Sequence, residues 1–347
     1  MESSSEQTGR PAEGRKPKKK PSLLLITVIL GTIGLVAQLV WVNWKKPVPA
    51  AEPLPPEVAA VIDRLPGTSD ALIYAGLKDI RESLFWQEVI PDSLRNMDWL
   101  RSEPALASVL EETGLDPASD LDTLILAYQH QNSRKQKYLG ILRGSFRDKL
   151  TRQYLEKKSL ATGSFGGETW YALPDSLWIS RPRDREVILA NTPQLLQGYL
   201  EPEGNFLERD STTAALIGKA TYKSHFWFTL SSTYWTLGAL QSLTSGNKDM
   251  KSLGNINRIR QLALSLKFDD GVLGQTEWIY ENRRSAYFAS TFLWAAVKLS
   301  SASGTRTSEP VKELLKKLEV MQNLQSVIVR TDLPIGFFRP DSSTGSR

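Results

Sequence analysis

The chain contains no cysteine and only two histidines, His130 and His225. The absence of cysteine excludes disulfide bonds, thiol nucleophiles, cysteine-ligated metal sites and a lipidated amino-terminal cysteine. Two histidines leave very little material for a histidine-based metal site or a Ser-His-Asp triad. We expect His130 to lie in a solvated turn and His225 at the edge of a strand, with a catalytic role for neither.

Motifs that hold phosphates or cations are also missing. Gly163, Gly166 and Gly167 lack the Lys-Ser/Thr of a phosphate-binding loop. The run Asp269-Asp270-Gly271 lacks the further oxygen ligands of a calcium loop and is typical of a hairpin turn. The sequence therefore predicts no catalytic, metal-binding or cofactor-binding residues.

No charged residue occurs between residues 22 and 44. At 1.5 Å of rise per residue, about 20 apolar residues cover the roughly 30 Å of a bilayer's hydrocarbon, so we predict a transmembrane helix over 22–44. Residues typical of membrane boundaries flank this run: Lys18, Lys19, Lys20, Trp41, Trp44, Lys45 and Lys46. The alternative is a signal peptide cleaved near residues 48–50, although such a peptide normally has a shorter apolar region of about 7 to 15 residues.

Six basic residues precede this span and two follow it directly. Basic residues of short loops stay on the cytoplasmic side, so we predict that residues 1–21 form a disordered cytoplasmic arm. We predict that the span itself lies in a bacterial inner membrane. The remainder of the chain then faces the periplasm or the cell exterior. Five prolines between residues 45 and 57 favour an extended stalk.

The net charge of +5 is confined to the first 46 residues, which hold eight Lys/Arg and three Asp/Glu. The rest of the chain carries 35 residues of each sign and is neutral. Because nucleic-acid-binding domains usually carry a basic surface, we expect no nucleic-acid partner. The predicted partners are the lipid bilayer, through residues 22–44, and an unidentified protein of the cell envelope.

A succession of strand, turn, strand and helix begins with a strand at residues 124–128 and recurs from a strand at residues 262–266, where it ends in a helix over 284–299. In each half another strand and helix precede this unit and one strand follows it, at residues 168–173 and 326–331. This is the ferredoxin-like order. We therefore predict an α+β fold in which the transmembrane helix is followed by two tandem ferredoxin-like modules with antiparallel sheets, at 58–205 and 206–340, and by a disordered tail over 341–347.

The segment from Val311 to Leu324 carries apolar residues at helical spacing, with its lysines off that stripe. This pattern predicts one helix over residues 311–324 that packs a single face against a sheet.

The run HFWFTLSSTYWTLGAL, residues 225–240, is rich in aromatic side chains. Two interpretations stay open for Trp227, Tyr234 and Trp235. They form a possible partner surface, or they are ordinary core residues, which is the commoner role of large aromatics.

Four segments resemble a broad group of exported, membrane-anchored bacterial proteins with duplicated α+β modules and no assigned activity. They read ALIYAGLKDI, TGLDPASDLDTLILAY, GILRGSFRDKLTRQYL and GETWYAL, within residues 66–200. The resemblance implies a duplicated α+β envelope protein and transfers no functional residue.

Two functions follow as hypotheses. The first is a membrane-anchored, non-enzymatic binding or assembly module of the bacterial envelope. The alternative is a periplasmic hydrolase with a site assembled from distant carboxylates or a Ser/Lys pair, because such groups meet in space and not in sequence.

Overall fold

The computed structural model describes residues 50–95, 104–130, 136–146, 148–237, 259–301 and 309–338. The predicted span over 22–44 and its flanking lysines and tryptophans lie outside these residues. Within the described ranges, no helix combines the length and the apolar character that crossing a bilayer requires.

Twelve strands form one continuous sheet in the order β11-β12-β10-β9-β8-β1-β2-β3-β7-β6-β5-β4. All neighbouring strands are antiparallel. Their bounds are β1 Ala71–Ala75, β2 Leu121–His130, β3 Gln136–Gly144, β4 Ala161–Phe165, β5 Glu168–Leu173, β6 Leu177–Arg183, β7 Glu186–Ala190, β8 Phe226–Leu230, β9 Ile259–Phe268, β10 Gly271–Tyr280, β11 Leu318–Asn323 and β12 Ser326–Pro334.

The prediction of two ferredoxin-like modules is therefore wrong, although the mixture of helices and an antiparallel sheet is confirmed. β1 pairs with β8, with Tyr74 opposite Trp227, so backbone hydrogen bonds carry a single sheet through the junction of the two halves. Alternating side chains specify which segments are strands, but they do not specify which strand edges meet. Tertiary contacts therefore decide that these two strand edges pair.

Each half of the sheet has the same connectivity when followed outward from the β1–β8 pair. One half runs β1-β2-β3-β7-β6 and the other β8-β9-β10-β12-β11. The strand beside β3 is β7, and not the segment 168–173, which forms β5. The hairpin of β4 and β5 extends only the first half, at its outer edge.

The helices connect and cover the strands. Their bounds are α1 Pro56–Ile62, α2 Leu77–Glu82, α3 Leu84–Glu88, α4 Asp92–Arg95, α5 Pro104–Thr113, α6 Pro117–Asp120, α7 Arg152–Lys158, α8 Pro193–Leu200, α9 Phe206–Arg209, α10 Ser211–Lys219, α11 Arg283–Ser300 and α12 Glu309–Lys316. Residues 233–237 are also helical, and short 3₁₀ turns occupy Pro174–Ser176 and Ile335–Phe337.

The predicted helix over 311–324 is wrong in its second half. α12 ends at Lys316, and residues 318–323 form β11, which pairs along its whole length with β12. Leu324 adopts a positive φ of 54° in the tight turn between the two strands. The hydrogen bonds that β12 offers outweigh a local helical pattern, since propensity is a weak determinant beside tertiary pairing.

Side chains alternate between the two faces of the sheet, and each face has its own core. Leu72, Tyr74, Ile125 and Trp227 point to one face, which we call the Trp227 face, where α1, α8, α9 and α10 pack. The opposite face, the Tyr128 face, is covered by α5 and α7 in the first half and by α11 in the second. The fold therefore has three layers, with a different set of residues on each side of the sheet.

Trp227 is fully buried, and its ring stacks on Tyr74 with the centroids 5.6 Å apart. We expect Trp227→Ala to lower the free energy of unfolding by about 3 to 5 kcal/mol, because it leaves a cavity at the β1–β8 junction. Trp227→Phe keeps a ring against Tyr74 and should cost less. Urea unfolding of the full chain in detergent micelles, followed by circular dichroism, measures both.

Tyr234→Ala provides the control, since Tyr234 is 53% exposed and such substitutions usually stay within about 0.5 kcal/mol. Equal losses for Trp227→Ala and Tyr234→Ala would contradict the structural importance of the junction.

Candidate functional site

Among the cavities of ligand size in the described part of the chain, two lie on opposite faces of the first half of the sheet. Because neighbouring residues of a strand point in opposite directions, Ile125 lines one cavity and Leu126 the other. We call them the charged cleft, on the Trp227 face, and the apolar cavity, on the Tyr128 face. Their contents are chemically distinct.

The charged cleft has a volume of about 410 Å³. Its ionisable lining residues are Glu57, Lys78, Asp79, Asp122, Arg143, Arg183, Arg185 and Glu186, together with the phenol of Tyr74. Four anionic and four cationic side chains thus face the same space, so the cleft has no net charge that would select an anion or a cation.

The most buried carboxylate of the cleft, Glu186, is held by an arginine on the next strand. Glu186 begins β7 and stands directly opposite Arg143 on β3. The guanidinium Nε of Arg143 donates to Oε2 of Glu186 over 3.1 Å. Removing one partner of such a pair leaves a buried charge uncompensated, so the pair behaves as one structural unit.

Asp122 is engaged in the same way. Its carboxylate lies 2.7 Å from the guanidinium of Arg185 and 3.6 Å from that of Arg81. Burial raises the pKa of Tyr74 to about 12, and the negative charge of Asp79 adds to this effect, so the phenol is neutral near pH 7. Of the four carboxylates of the cleft, Glu186 and Asp122 are thus bound to arginines.

The apolar cavity has a volume of about 460 Å³, within the usual range for small-molecule sites. Nine of its lining residues are leucine or proline: Leu106, Leu110, Leu115, Pro117, Leu121, Leu124, Leu126, Leu142 and Leu189. Tyr128, Gln136, Tyr138 and Asn191 complete the lining. Such a composition binds a ligand through dispersion and the hydrophobic effect, with few polar contacts to orient it.

Two local features shape this cavity. Helix α5 turns Leu106 and Leu110, one helical turn apart, toward the sheet and ends before Gly114, whose φ of +64° suits glycine at a helix end. Gly140 lies in the floor, where a Cβ would come within 2.9 Å of Leu189 and 3.1 Å of Leu126. The missing side chain therefore lets those two leucines approach each other.

A polar clamp forms part of the cavity wall. The side chain of Asn191 accepts a hydrogen bond from the backbone N–H of Tyr138 over 2.9 Å and donates to the carbonyl of Gln136 over 2.8 Å. Asn191 directly follows β7, so this contact fixes the end of β7 against the start of β3. These bonds hold that part of the wall in place, which favours a largely preformed site.

The structure separates the three aromatic residues that the sequence singled out. Trp227 is fully buried on the Trp227 face, so it offers no surface to a partner. Tyr234 is exposed and stacks on His130, and Trp235 is half-buried against Tyr128, at 5.0 Å between ring centroids. Since Tyr128 lines the apolar cavity, Trp235 is next to that cavity, whereas Trp227 stacks on Tyr74 in the wall of the charged cleft.

The sequence did not predict the residues of the apolar cavity, because leucines that line a cavity cannot be distinguished in the sequence from leucines that fill the hydrophobic core. It also missed a polar cluster formed by Glu52, Lys223 and Lys267. The Glu52 carboxylate accepts from the backbone N–H of Lys223 over 2.8 Å and lies 3.3 Å from the ammonium of Lys267. The buried Lys223 ammonium donates to the carbonyl of Glu52 over 2.7 Å.

This cluster fixes the beginning of the described chain to the sheet. Burial alone would raise the pKa of Glu52, but the bonds from Lys223 and Lys267 outweigh it and hold that pKa below its ordinary value. The ionised carboxylate is therefore the stable form, and it attaches the end of the proline-rich segment to β9 and to the residues before β8.

Beside this cluster, His225 is buried and accepts a hydrogen bond at Nδ1 from the backbone N–H of Phe268 over 3.0 Å. Burial lowers the pKa of His225, and nearby acidic groups offset this only in part. An imidazole that accepts at Nδ1 is the neutral form, which agrees with the direction of the shift. Within the described residues, no group of three or more His, Asp or Glu side chains is arranged to hold a metal ion.

We expect the free energy of unfolding to fall as the pH drops from 7 to 5. The unfolded chain protonates His225 near pH 6.5, whereas the folded protein resists this until a lower pH, so the unfolded state binds more protons in that window. The contribution is complete above the unfolded pKa and is lost as the pH falls toward the folded one. Urea unfolding at a series of pH values measures this slope.

The two histidines permit a matched comparison. His225→Asn should flatten the dependence between pH 7 and 5, while His130→Gln, at an exposed site, should leave it unchanged. An unaltered slope in His225→Asn would show that another group is responsible.

No family model matches the chain, and no curated protein is significantly similar to it. Among solved structures, crystal form I of TP0453 matches 80% of this chain and 93% of its own, with 9% sequence identity and a TM-score of 0.40. Similarity at this level assigns neither a shared fold nor a shared activity.

Proposed function

We propose that this chain is a membrane-anchored, non-enzymatic binding module of a bacterial cell envelope, with the apolar cavity as its ligand site. The ligand class that fits is a lipid acyl chain. The observation that carries the proposal is the lining of this preformed cavity of about 460 Å³, nine residues of which are leucine or proline. A saturated chain makes dispersion contacts with such a lining and leaves no polar group unpaired.

Membrane attachment is the second part of the proposal. Its support is the uncharged run over 22–44, the basic residues before it and the tryptophans and lysines after it. In this topology the body stands in the periplasm or outside the cell, close to a source of lipid.

The hydrolase alternative has less support. A hydrolytic site needs a carboxylate, serine or lysine that is free to exchange a proton with a substrate. In the charged cleft the buried Glu186 is bound to Arg143, and Asp122 is bound to two arginines. An arginine partner occupies carboxylate oxygens through which a proton would be exchanged with a substrate.

A photo-crosslinking experiment in membranes of the producing cells tests the proposal. A benzophenone amino acid at Leu142, inside the apolar cavity, should form an adduct with the mass of a membrane lipid. The same amino acid at Asn323, the exposed last residue of β11, should form none. Intact-mass spectrometry of the full chain identifies the adduct.

A variant that fills the cavity supplies the second control. Leu126→Phe adds a ring to the floor and should reduce the lipid adduct at Leu142 several-fold, while circular dichroism confirms that the sheet remains folded. A protein adduct in place of a lipid, or equal lipid adducts at Leu142 and Asn323, would overturn the assignment of an acyl-chain site.

A further inference from the structure

Helix α11 carries an exposed apolar stripe on the side turned away from the sheet. Phe288 is 48% exposed, Phe292 49% and Leu299 70%. The opposite side of the helix is buried against the sheet through small residues, Ala286, Ala289 and Ser290. Most exposed side chains of a folded domain are not large and apolar, so a contiguous row of them indicates an interaction surface.

The spacing of these residues makes the stripe continuous. At 3.6 residues per turn, Phe292 and Leu299 lie within about 40° of Phe288 around the helix axis, and the row extends about 16 Å along it. Ala295 lies between Phe292 and Leu299 in the same row. Tyr287 flanks it, at 39% exposure, with its ring 6.0 Å from that of Phe288.

The charge of α11 has a single sign. Its 18 residues include Arg283, Arg284 and Lys298 and no aspartate or glutamate. Two cations stand at the first turn and one near the last, and the guanidinium of Arg284 lies over the ring of Phe288 at 5.7 Å. The neighbouring α12 is mixed, since its Lys312 and Lys316 each pair with a glutamate of that helix.

An apolar row between cationic ends is typical of a helix that lies in the plane of a membrane. The apolar side chains enter the boundary between headgroups and acyl chains, and the cations attract anionic headgroups.

The length of the tether places such a membrane within reach. Seven residues separate Trp44, at the end of the predicted span, from Glu52, which Lys223 and Lys267 fix to the sheet. Seven extended residues cover at most about 25 Å. Because the tether already holds the folded body close to the bilayer, binding of one of its surfaces to that bilayer costs little additional translational entropy.

The stripe also belongs to the side of the sheet that holds the apolar cavity. Trp278, which packs under α11, is paired with Leu262 on β9, and Leu262 with Leu230 on β8. Leu230 is in turn paired with Ala71, and Ala71 with Tyr128 in the cavity wall. Cross-strand partners point to the same face, so α11 and the cavity share the Tyr128 face.

We propose that the Phe288–Phe292–Leu299 stripe of α11 docks on the anionic surface of the bilayer that anchors the chain. This inference rests on the membrane attachment in the proposed function. The docked helix would make a second, peripheral contact with the bilayer and would turn the Tyr128 face toward the lipid.

The absence of cysteine allows a direct test with single labels. Phe292→Cys and, as a matched exposed control, Leu160→Cys each receive an environment-sensitive fluorophore in the full chain, reconstituted in nanodiscs of phosphatidylglycerol and phosphatidylcholine. Leu160 is 76% exposed and lies just before β4, at the far edge of the sheet. The label at residue 292 should be quenched by nitroxide lipids and protected from iodide, and the label at residue 160 should show the reverse.

Electrostatics supplies the second measurement. The double substitution Arg283→Gln and Arg284→Gln, with the label at residue 292, should lower the ratio of docked to undocked chains by about 30-fold in these nanodiscs. Discs of phosphatidylcholine alone should give a similar loss, and circular dichroism verifies that the fold is retained.

The outcomes separate this inference from the proposed function. A chain that co-elutes with the discs but shows equal quenching at residues 292 and 160 overturns the docking of α11 and leaves the anchor intact. Protection from iodide without quenching by nitroxide lipids also overturns it, since a second copy of the chain would then cover the stripe. A chain that does not co-elute with the discs contradicts the membrane anchor itself.

Discussion

The pairing of β1 with β8 is the contact on which the rest of the architecture depends. These two short strands join the halves of the sheet through backbone hydrogen bonds, and the stacked rings of Tyr74 and Trp227 cover the junction on one face. On the other face Ala71 and Leu230 pack with Leu262. Without this pair each half would expose the unpaired edge of a strand, which invites association with other chains.

Because both faces of the single sheet are covered, one strand contributes side chains to two chemically different sites. Along β2, Ile125 contributes to the charged cleft and its neighbour Leu126 to the apolar cavity. The cleft holds charged side chains of both signs, some of them in ion pairs, whereas the cavity offers leucine side chains and a few polar groups. This difference in composition between the cleft and the cavity favours the Tyr128 face as the site of the proposed lipid ligand. The proposed docking of α11 belongs to the same face, which would orient the cavity and the membrane toward each other.

Much of the secondary structure was predictable. Segments of alternating side chains at residues 124–128 and 262–266 lie inside β2 and β9, and the helix expected at 284–299 is α11 within one residue at each end. The prediction for residues 318–323 was wrong, because they carry a helical pattern but pair with β12 as a strand. The candidate site was not predictable at all: the cavity takes leucines from α5, β2, β3 and β7, and nothing in the sequence distinguishes them from leucines that fill the core.

The amino-acid sequence by itself determined the properties that depend on local order. These are the uncharged run of bilayer length, the basic leader, the neutral body and the identity of most strands and helices, since each is a sum or a period along the chain. Tertiary structure alone decided that β1 meets β8, that Glu52 is fixed by Lys223, and that leucines from four elements leave a space between them. Such features arise where segments distant in the chain come into contact, and their free energy depends on geometry that no single segment contains.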